Sequence, residues 1–242
     1  MKQQYTSEQL VQRWEDRREV KNVMGKYVVS FLIKQEDKIL DTLWSKADDI
    51  CLGLNDGWFS GREALDGYYK SYVKRNIAVR DKLMALFPDQ IKGATPEENY
   101  GIGVFDLRSI SNCVVEIAGD GKTAKGMWAL YGLPTDIDER GPVTYWSIGT
   151  LCADFIKEDD AWKLWHVQML EDIHSPSGMN WSRNENPYPE LADFADLKGI
   201  NVPQPNVPAT LREYYSINRP FTPLPKVPEA YDTFEETFSY GL

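Results

Sequence analysis

A chain of 242 residues with net charge −10 and 42% apolar residues can build one sizeable core, but it has the wrong sign for nucleic acid. Duplex binding rests on Lys and Arg displacing counterions from phosphates, so this balance excludes nucleic acid and anionic membrane surfaces as partners. No stretch nears the about 18 consecutive apolar residues of a spanning helix, and the opening MKQQYTSEQL has no leader pattern.

In chain order, Thr6-Ser7-Glu8-Gln9 has the form of a capping box, with a hydroxyl first and Gln three positions on. Behind it Leu10, Trp14, Val20, Met24, Tyr27, Val28 and Phe31 recur at helical spacing, which predicts amphipathic helix with these residues inward, either broken near Val20 or running on to Ile33. Glu36 to Trp44 predicts a second helix, with Ile39, Leu40, Leu43 and Trp44 as its apolar stripe. A short strand follows over Asp48 to Leu54, then a turn at Asn55-Asp56-Gly57. Gly61 to Asn76 and Arg80 to Phe87 read as helical, and Pro88 to Tyr100 as a polar loop.

The middle of the chain changes character. Gly103 to Ala118, Thr123 to Leu133, Val143 to Lys157 and Ala161 to Ile173 are rich in β-branched and aromatic residues. Gly119-Asp120-Gly121 and Glu158-Asp159-Asp160 are turns between neighbours. Four long strands in meander order after a run of helices predict an α+β domain with one curved, mostly antiparallel sheet over residues 1–175.

Residues 176–242 differ again: ten of the fourteen prolines lie from Pro176 to Pro228. Proline removes donors and fixes the backbone, so this C-terminal arm lies along a surface and builds no second core. Helical pattern is confined to Pro189 to Leu197 and Pro208 to Tyr215. Scattered aromatics set the arm apart from a disordered tail and predict that it packs on this subunit or a neighbour. Cys51, Cys113 and Cys152, an odd set without CxxC, read as reduced, buried thiols of a cytoplasmic protein.

Several local strings, in this order, resemble the SnoaL-like branch of the nuclear transport factor 2-like superfamily. They are Lys26-Tyr27, then Glu36-Asp37-Lys38-Ile39-Leu40, then Trp58-Phe59-Ser60-Gly61-Arg62-Glu63-Ala64-Leu65. Next come Ile110-Ser111-Asn112 before Val114-Val115-Glu116-Ile117, and Thr123-Ala124-Lys125-Gly126-Met127-Trp128. Asp154-Phe155-Ile156-Lys157-Glu158-Asp159 and Trp162-Lys163-Leu164-Trp165-His166 complete the set, which spans roughly residues 10 to 175 and leaves the arm outside. The resemblance implies a cystatin-like cone: helices closing one side of a bent sheet around a pocket. Members include dehydratases, isomerases, other lyases and plain binding or scaffold proteins, so the fold leaves the activity open.

Chemistry in such a cone moves protons next to a carbonyl or a leaving hydroxyl. The resemblance implies a pocket role for Tyr27, whose phenol would donate to an oxygen; otherwise it is a core tyrosine. The carboxylate that family dehydratases carry about five residues later is absent, since the chain there reads Phe31-Leu32-Ile33. Asp106 and Arg108 leave one strand face two residues apart, either as a pair positioning a substrate oxygen or as a surface pair. Asn112 is expected to continue that face. Trp128 stands where some relatives have a catalytic His and would stack on a flat ligand or fill the core. Of the two histidines, His166 is expected on the same face as Trp162 and Leu164 and is the foremost proton-transfer candidate. His174, near the strand end, is the weaker one. Trp44, Tyr131 and Tyr145 are candidate pocket walls.

No zinc spacing, G-x-G-x-x-G, P-loop or nucleophile triad occurs, so no metal or cofactor is implied. The expected ligand is a small apolar, aromatic or polycyclic molecule. The expected activity is that of a lyase or isomerase, by dehydration, proton transfer or a retro-aldol-type deformylation. A non-catalytic binding protein or a scaffold is the alternative. The resemblance also implies a homo-oligomer, a dimer or trimer.

Overall fold

A computed structural model describes residues 5–138, 141–178, 180–183, 203–220, 222 and 225–242. Three helices, α1 (Ser7–Leu32), α2 (Glu36–Leu43) and α3 (Arg62–Leu86), pack on one sheet. Its strands are β1 (Cys51–Leu54), β2 (Gly57–Ser60), β3 (Asp106–Ile117), β4 (Thr123–Asp138), β5 (Gly141–Glu158), β6 (Ala161–Pro176) and β7 (Val207–Pro208). They run in the order β3-β4-β5-β6-β1-β2-β7, antiparallel except where β1 lies parallel to β6. The fold is thus α+β, with helices on one face of an open, mostly antiparallel sheet. The strand β2 and the single span of α3 depart from the sequence reading only in detail.

The capping box is present: Thr6 accepts from the Gln9 amide and Gln9 accepts from the Thr6 amide. From Val20 onward α1 buries Val20, Val23, Met24, Tyr27, Val28 and Phe31, one face at helical spacing. Leu10 and Trp14, expected on that face, are instead 51% and 76% exposed. Polar bonds hold this first half. Arg13 donates to the Ile117 and Ala118 carbonyls, and buried Asp16 accepts from Trp162 Nε1 and Lys157 Nζ, both at 2.9 Å.

One sheet face meets the helices; Val115, Ala124, Trp128, Leu130, Leu151, Phe155, Leu164 and Val167 join the core from it. Along the meander three bulges interrupt the alternation of faces. Asn112 and Cys113 stand against one β4 residue, Trp165 is an extra residue in β6 between Leu164 and His166, and Asp172 is another between Glu171 and Ile173. Such insertions bend the strand and swap the face its later residues present. Gly149 marks the last: a Cβ there would come 2.0 Å from the Leu170 carbonyl oxygen.

Described parts of the arm pack on this same chain. Val207–Pro208 extends the sheet beside β2. The reading of Pro208 to Tyr215 as a helix is corrected, because the amides of Ala209, Leu211 and Arg212 donate to the carbonyls of Asp56 and Asn55. Pro189 to Leu197 lies outside the described residues. The last segment clasps the outer sheet face. There Lys125 Nζ is fully buried, 2.6 Å from Asp154 Oδ1. It is ringed by Phe234, Phe238, Tyr240 and Tyr231 at 4.5–5.8 Å from their ring centres. Burial pushes the Lys125 ammonium below its ordinary pKa, and Asp154 opposes that pull.

Cys51 and Cys152 are free and buried, whereas Cys113, expected to be buried, is exposed beside its bulge. No described helix is long and apolar enough to cross a membrane.

Removing one partner of a buried ion pair leaves the other charge stranded. Asp154→Ala is therefore expected to lower unfolding free energy by about 3–5 kcal/mol, measured by urea denaturation. A loss below 1 kcal/mol would show that the clasp contributes little.

Candidate functional site

The inner face carries a polar cluster at the wide end of the sheet, between β3, β5, β6 and helices α1 and α3. Arg108 on β3 reaches inward: its guanidinium carbon sits 4.1 Å over the Phe31 ring, and Nη2 donates to Tyr72 Oη at 3.1 Å. Tyr72 Oη also meets Tyr68 Oη at 2.9 Å. Tyr27 is fully buried on α1 beside Tyr69 and Arg108. Two polar atoms, Tyr27 Oη and Arg108 Nη1, are buried without a well-formed hydrogen bond among the described residues. Such atoms carry a desolvation cost that a bound oxygen would relieve.

Opposite them lies a second group. His174 Nδ1 is 3.0 Å from Glu171 Oε2, and Ser147 Oγ donates to Glu171 Oε1. The Tyr145 ring lies 5.0 Å from the His174 ring. His174 is 22% exposed, so part of its ring meets solvent. Burial pushes the Glu171 carboxyl up, but hydrogen bonding and charge from His174, the Ser147 hydroxyl and Arg108 outweigh it, and the net shift is downward. Burial pushes the Tyr27 phenol up to about 12 against the pull of Arg108, so it is a neutral donor at physiological pH.

Asp106 and Arg108 do share the inner face. Asp106 is held by Lys34 Nζ at 2.9 Å and by Arg75. Burial raises its pKa, yet the charges of Arg75, Arg108 and Lys34 bring it below the usual carboxylate value. Trp128 and Trp44 lie inside as core residues, with Trp44 Nε1 donating to Tyr69 Oη at 2.9 Å.

Three placements are corrections. His166 is on the outer face, because the extra residue Trp165 breaks the parity it would share with Leu164. It stacks on Trp165 at 4.4 Å, and its Nδ1 lies 2.9 Å from Asp154, beneath Ser239 of the arm. Asn112 does not continue the Arg108 face; it sits exposed in a bulge with φ +49°. Tyr131 is 48% exposed on the outer face. Glu171 and Ser147 were missed altogether. The available signal was Gly149, since glycine within a strand pattern marks a bulge.

One cavity of about 590 Å³ lies within the arm between Lys226 and Phe238, and another of about 340 Å³ lies beside Trp44, Arg62 and Glu158. Neither is lined by the inner polar cluster.

No family model and no curated protein matches the chain. Among solved structures it is similar to hexachlorocyclohexane dehydrochlorinase LinA-type3 from Novosphingobium barchaimii, with 12% identity, TM-score 0.47, and coverage of 70% of this chain and 96% of that one. It is also similar to an NTF2-like protein with a cystatin-like fold from Novosphingobium aromaticivorans (13% identity, TM-score 0.44, 70% and 92% covered). A protein from Kribbella flavida aligns at 14% identity and TM-score 0.48, with 66% and 93% covered. With these TM-scores below 0.5, the neighbours' activities are theirs alone.

A depressed carboxylate stabilises the fold above its unfolded pKa, near 4.5 for Glu171, and that stabilisation is lost as pH falls through the folded value. Acid unfolding of Glu171→Gln is therefore expected to fall less steeply below pH 4.5 than that of the wild type. Parallel curves for the two proteins, followed by circular dichroism, would contradict the depressed pKa.

Proposed function

We propose that the chain is a cofactor-independent lyase or isomerase acting on a small, largely apolar, aromatic or polycyclic substrate that bears an oxygen function. The carrying observation is the His174–Glu171 pair set across from two buried, unfilled donors, Arg108 Nη1 and Tyr27 Oη. Glu171 accepts the proton on His174 Nδ1, and Nε2 is assigned as the base. That nitrogen takes a proton from carbon beside the substrate carbonyl. The electron pair moves onto the carbonyl oxygen, where Arg108 and Tyr27 stabilise the developing charge. Imidazolium then returns the proton to a second carbon, giving an isomer, or to a departing hydroxyl, giving water and an alkene. Asp106 acts behind Arg108 as a counter-charge, and Phe31, Tyr72 and Tyr145 supply aromatic walls.

The absence of a carboxylate in Phe31-Leu32-Ile33 and the indole of Trp128 where a titratable group would act favour a second reading, a binding protein that holds such a ligand without turnover. The test is a screen of the purified chain with aromatic ketones and hydroxylated steroid-like compounds, followed by product analysis in deuterated water. His174→Gln is expected to lower kcat by about 10²–10⁴-fold, whereas His166→Gln leaves turnover intact. Tyr27→Phe is expected to lower turnover with little loss of stability, because its hydroxyl makes no well-formed hydrogen bond among the described residues. Full turnover in His174→Gln would sink the reading, and binding without product would select the second one.

We also propose a homodimer through the outer sheet face. Met127, Tyr131, Trp146, Ile148 and Thr150 present no charge there, and the arm clasps the other part of that face around Lys125. Sedimentation is expected to give a dimer that Trp146→Arg converts to monomer; a wild-type monomer would refute it.

A further inference from the structure

In a regular strand, residues three apart point to opposite faces. Glu171 and His174 nevertheless meet on the inner face, because Asp172 is the extra residue between them and both then align with β5: Gly149 opposite Glu171, Ser147 opposite His174. The pair is therefore a product of the bulge, and whatever holds the bulge holds the pair.

Three elements hold it. Gly149 leaves the space that a Cβ would fill against the Leu170 carbonyl and the Glu171 Cα. Asn55, in the β1–β2 turn, clips the Glu171 backbone in both directions: Nδ2 donates to the Glu171 carbonyl at 2.7 Å, and Oδ1 accepts its amide at 2.8 Å. The third element is the arm. Arg212 Nε donates to Asp172 Oδ1 at 2.7 Å, Nη2 approaches the same oxygen at 2.5 Å, and Nη1 donates to the Thr222 carbonyl. The Tyr215 amide donates to the Asp172 carbonyl at 2.6 Å. Arm and clip are themselves joined, since the Leu211 and Arg212 amides donate to the Asn55 carbonyl. Both the side chain and the backbone of the bulged residue are thus tied to a segment outside the helix-and-sheet core.

The geometry points to Arg212 as a positioning residue: through Asp172 the C-terminal arm sets the bulge that brings Glu171 to His174. The arm is then part of the site, acting from behind the strand and touching no substrate. Arg212 is suited to this because its planar fork engages one carboxylate through two nitrogens, which a lysine cannot do. This inference rests on the reading of His174 and Glu171 as the reacting pair.

The test uses the full chain and needs no substrate. The chain has only two histidines, so ring-nitrogen spectra by NMR resolve each one. In wild type the His174 ring is expected to carry its proton on Nδ1, and Glu171→Gln is expected to disturb that signature. Arg212→Ala is expected to produce the same loss, while the His166 signals, at the other arm contact, stay in place. Arg212→Lys is expected to restore part of it. Should Arg212→Ala fail to fold, Asp172→Asn, at a partly exposed side chain, takes the same test. If Glu171→Gln moves the His174 signals but neither Arg212→Ala nor Asp172→Asn does, the clamp is overturned and the pair stands. If Glu171→Gln leaves them unmoved, the pair itself falls and the clamp with it.

Discussion

A strand presents its side chains to two faces in alternation, and β6 breaks that alternation twice. Each break is one residue, Trp165 and then Asp172, that has no opposite number on β5. Between them the strand changes what it offers to each side. Leu164 and Val167 both reach the core, His166 goes outward, and Glu171 and His174 both go inward. The two histidines thereby end in different surroundings, one beneath the arm and one beside Glu171 and Tyr145. The division of the molecule into an outer clasp and an inner cluster follows from this one strand.

On the outer side, the charged group is tolerated because every part of it is occupied. Asp154 Oδ1 takes the Lys125 ammonium, and Oδ2 takes His166, the Ser239 hydroxyl and the Tyr240 amide. Four aromatic rings cover the remaining faces of the ammonium. A charge pair removed from water repays its desolvation only with this degree of satisfaction. Gly241 runs so close to His166 that a Cβ would lie 2.7 Å from the ring, which seats the chain end on the histidine. Here polar and apolar contacts hold a proline-rich segment that, among the described residues, forms no ladder beyond the two residues of β7.

On the inner side, satisfaction is incomplete among the described residues, and the proposed site rests on that contrast. Glu171 has partners at both oxygens, and Asp106 has Lys34 and Arg75. Among the described residues Arg108 Nη1 and Tyr27 Oη lack well-formed bonds although they are buried. A carboxylate held ionised, a histidine against it and two donors without a well-formed acceptor form the set on which the proposed reaction rests. The outer cluster has a histidine and a carboxylate too, but its carboxylate is filled by Lys125, His166 and donors from the arm.

Local chemistry sufficed for much of the fold. The capping box at Thr6, the turn at Asn55-Asp56-Gly57 and the four β-branched strands act within a few residues of themselves, so the sequence alone determined them. It also determined that Tyr27 is buried and that Asp106 and Arg108 share a face, because helical and strand periodicity hold over those stretches. Tertiary structure decided the rest. A bulge depends on the partner strand, so the outward turn of His166, the exposure of Asn112 and the meeting of Glu171 with His174 are not written in any one strand. The extended course of residues 209–215 was decided in the same way, by carbonyls of Asn55 and Asp56 that compete with the helix for the arm's amides.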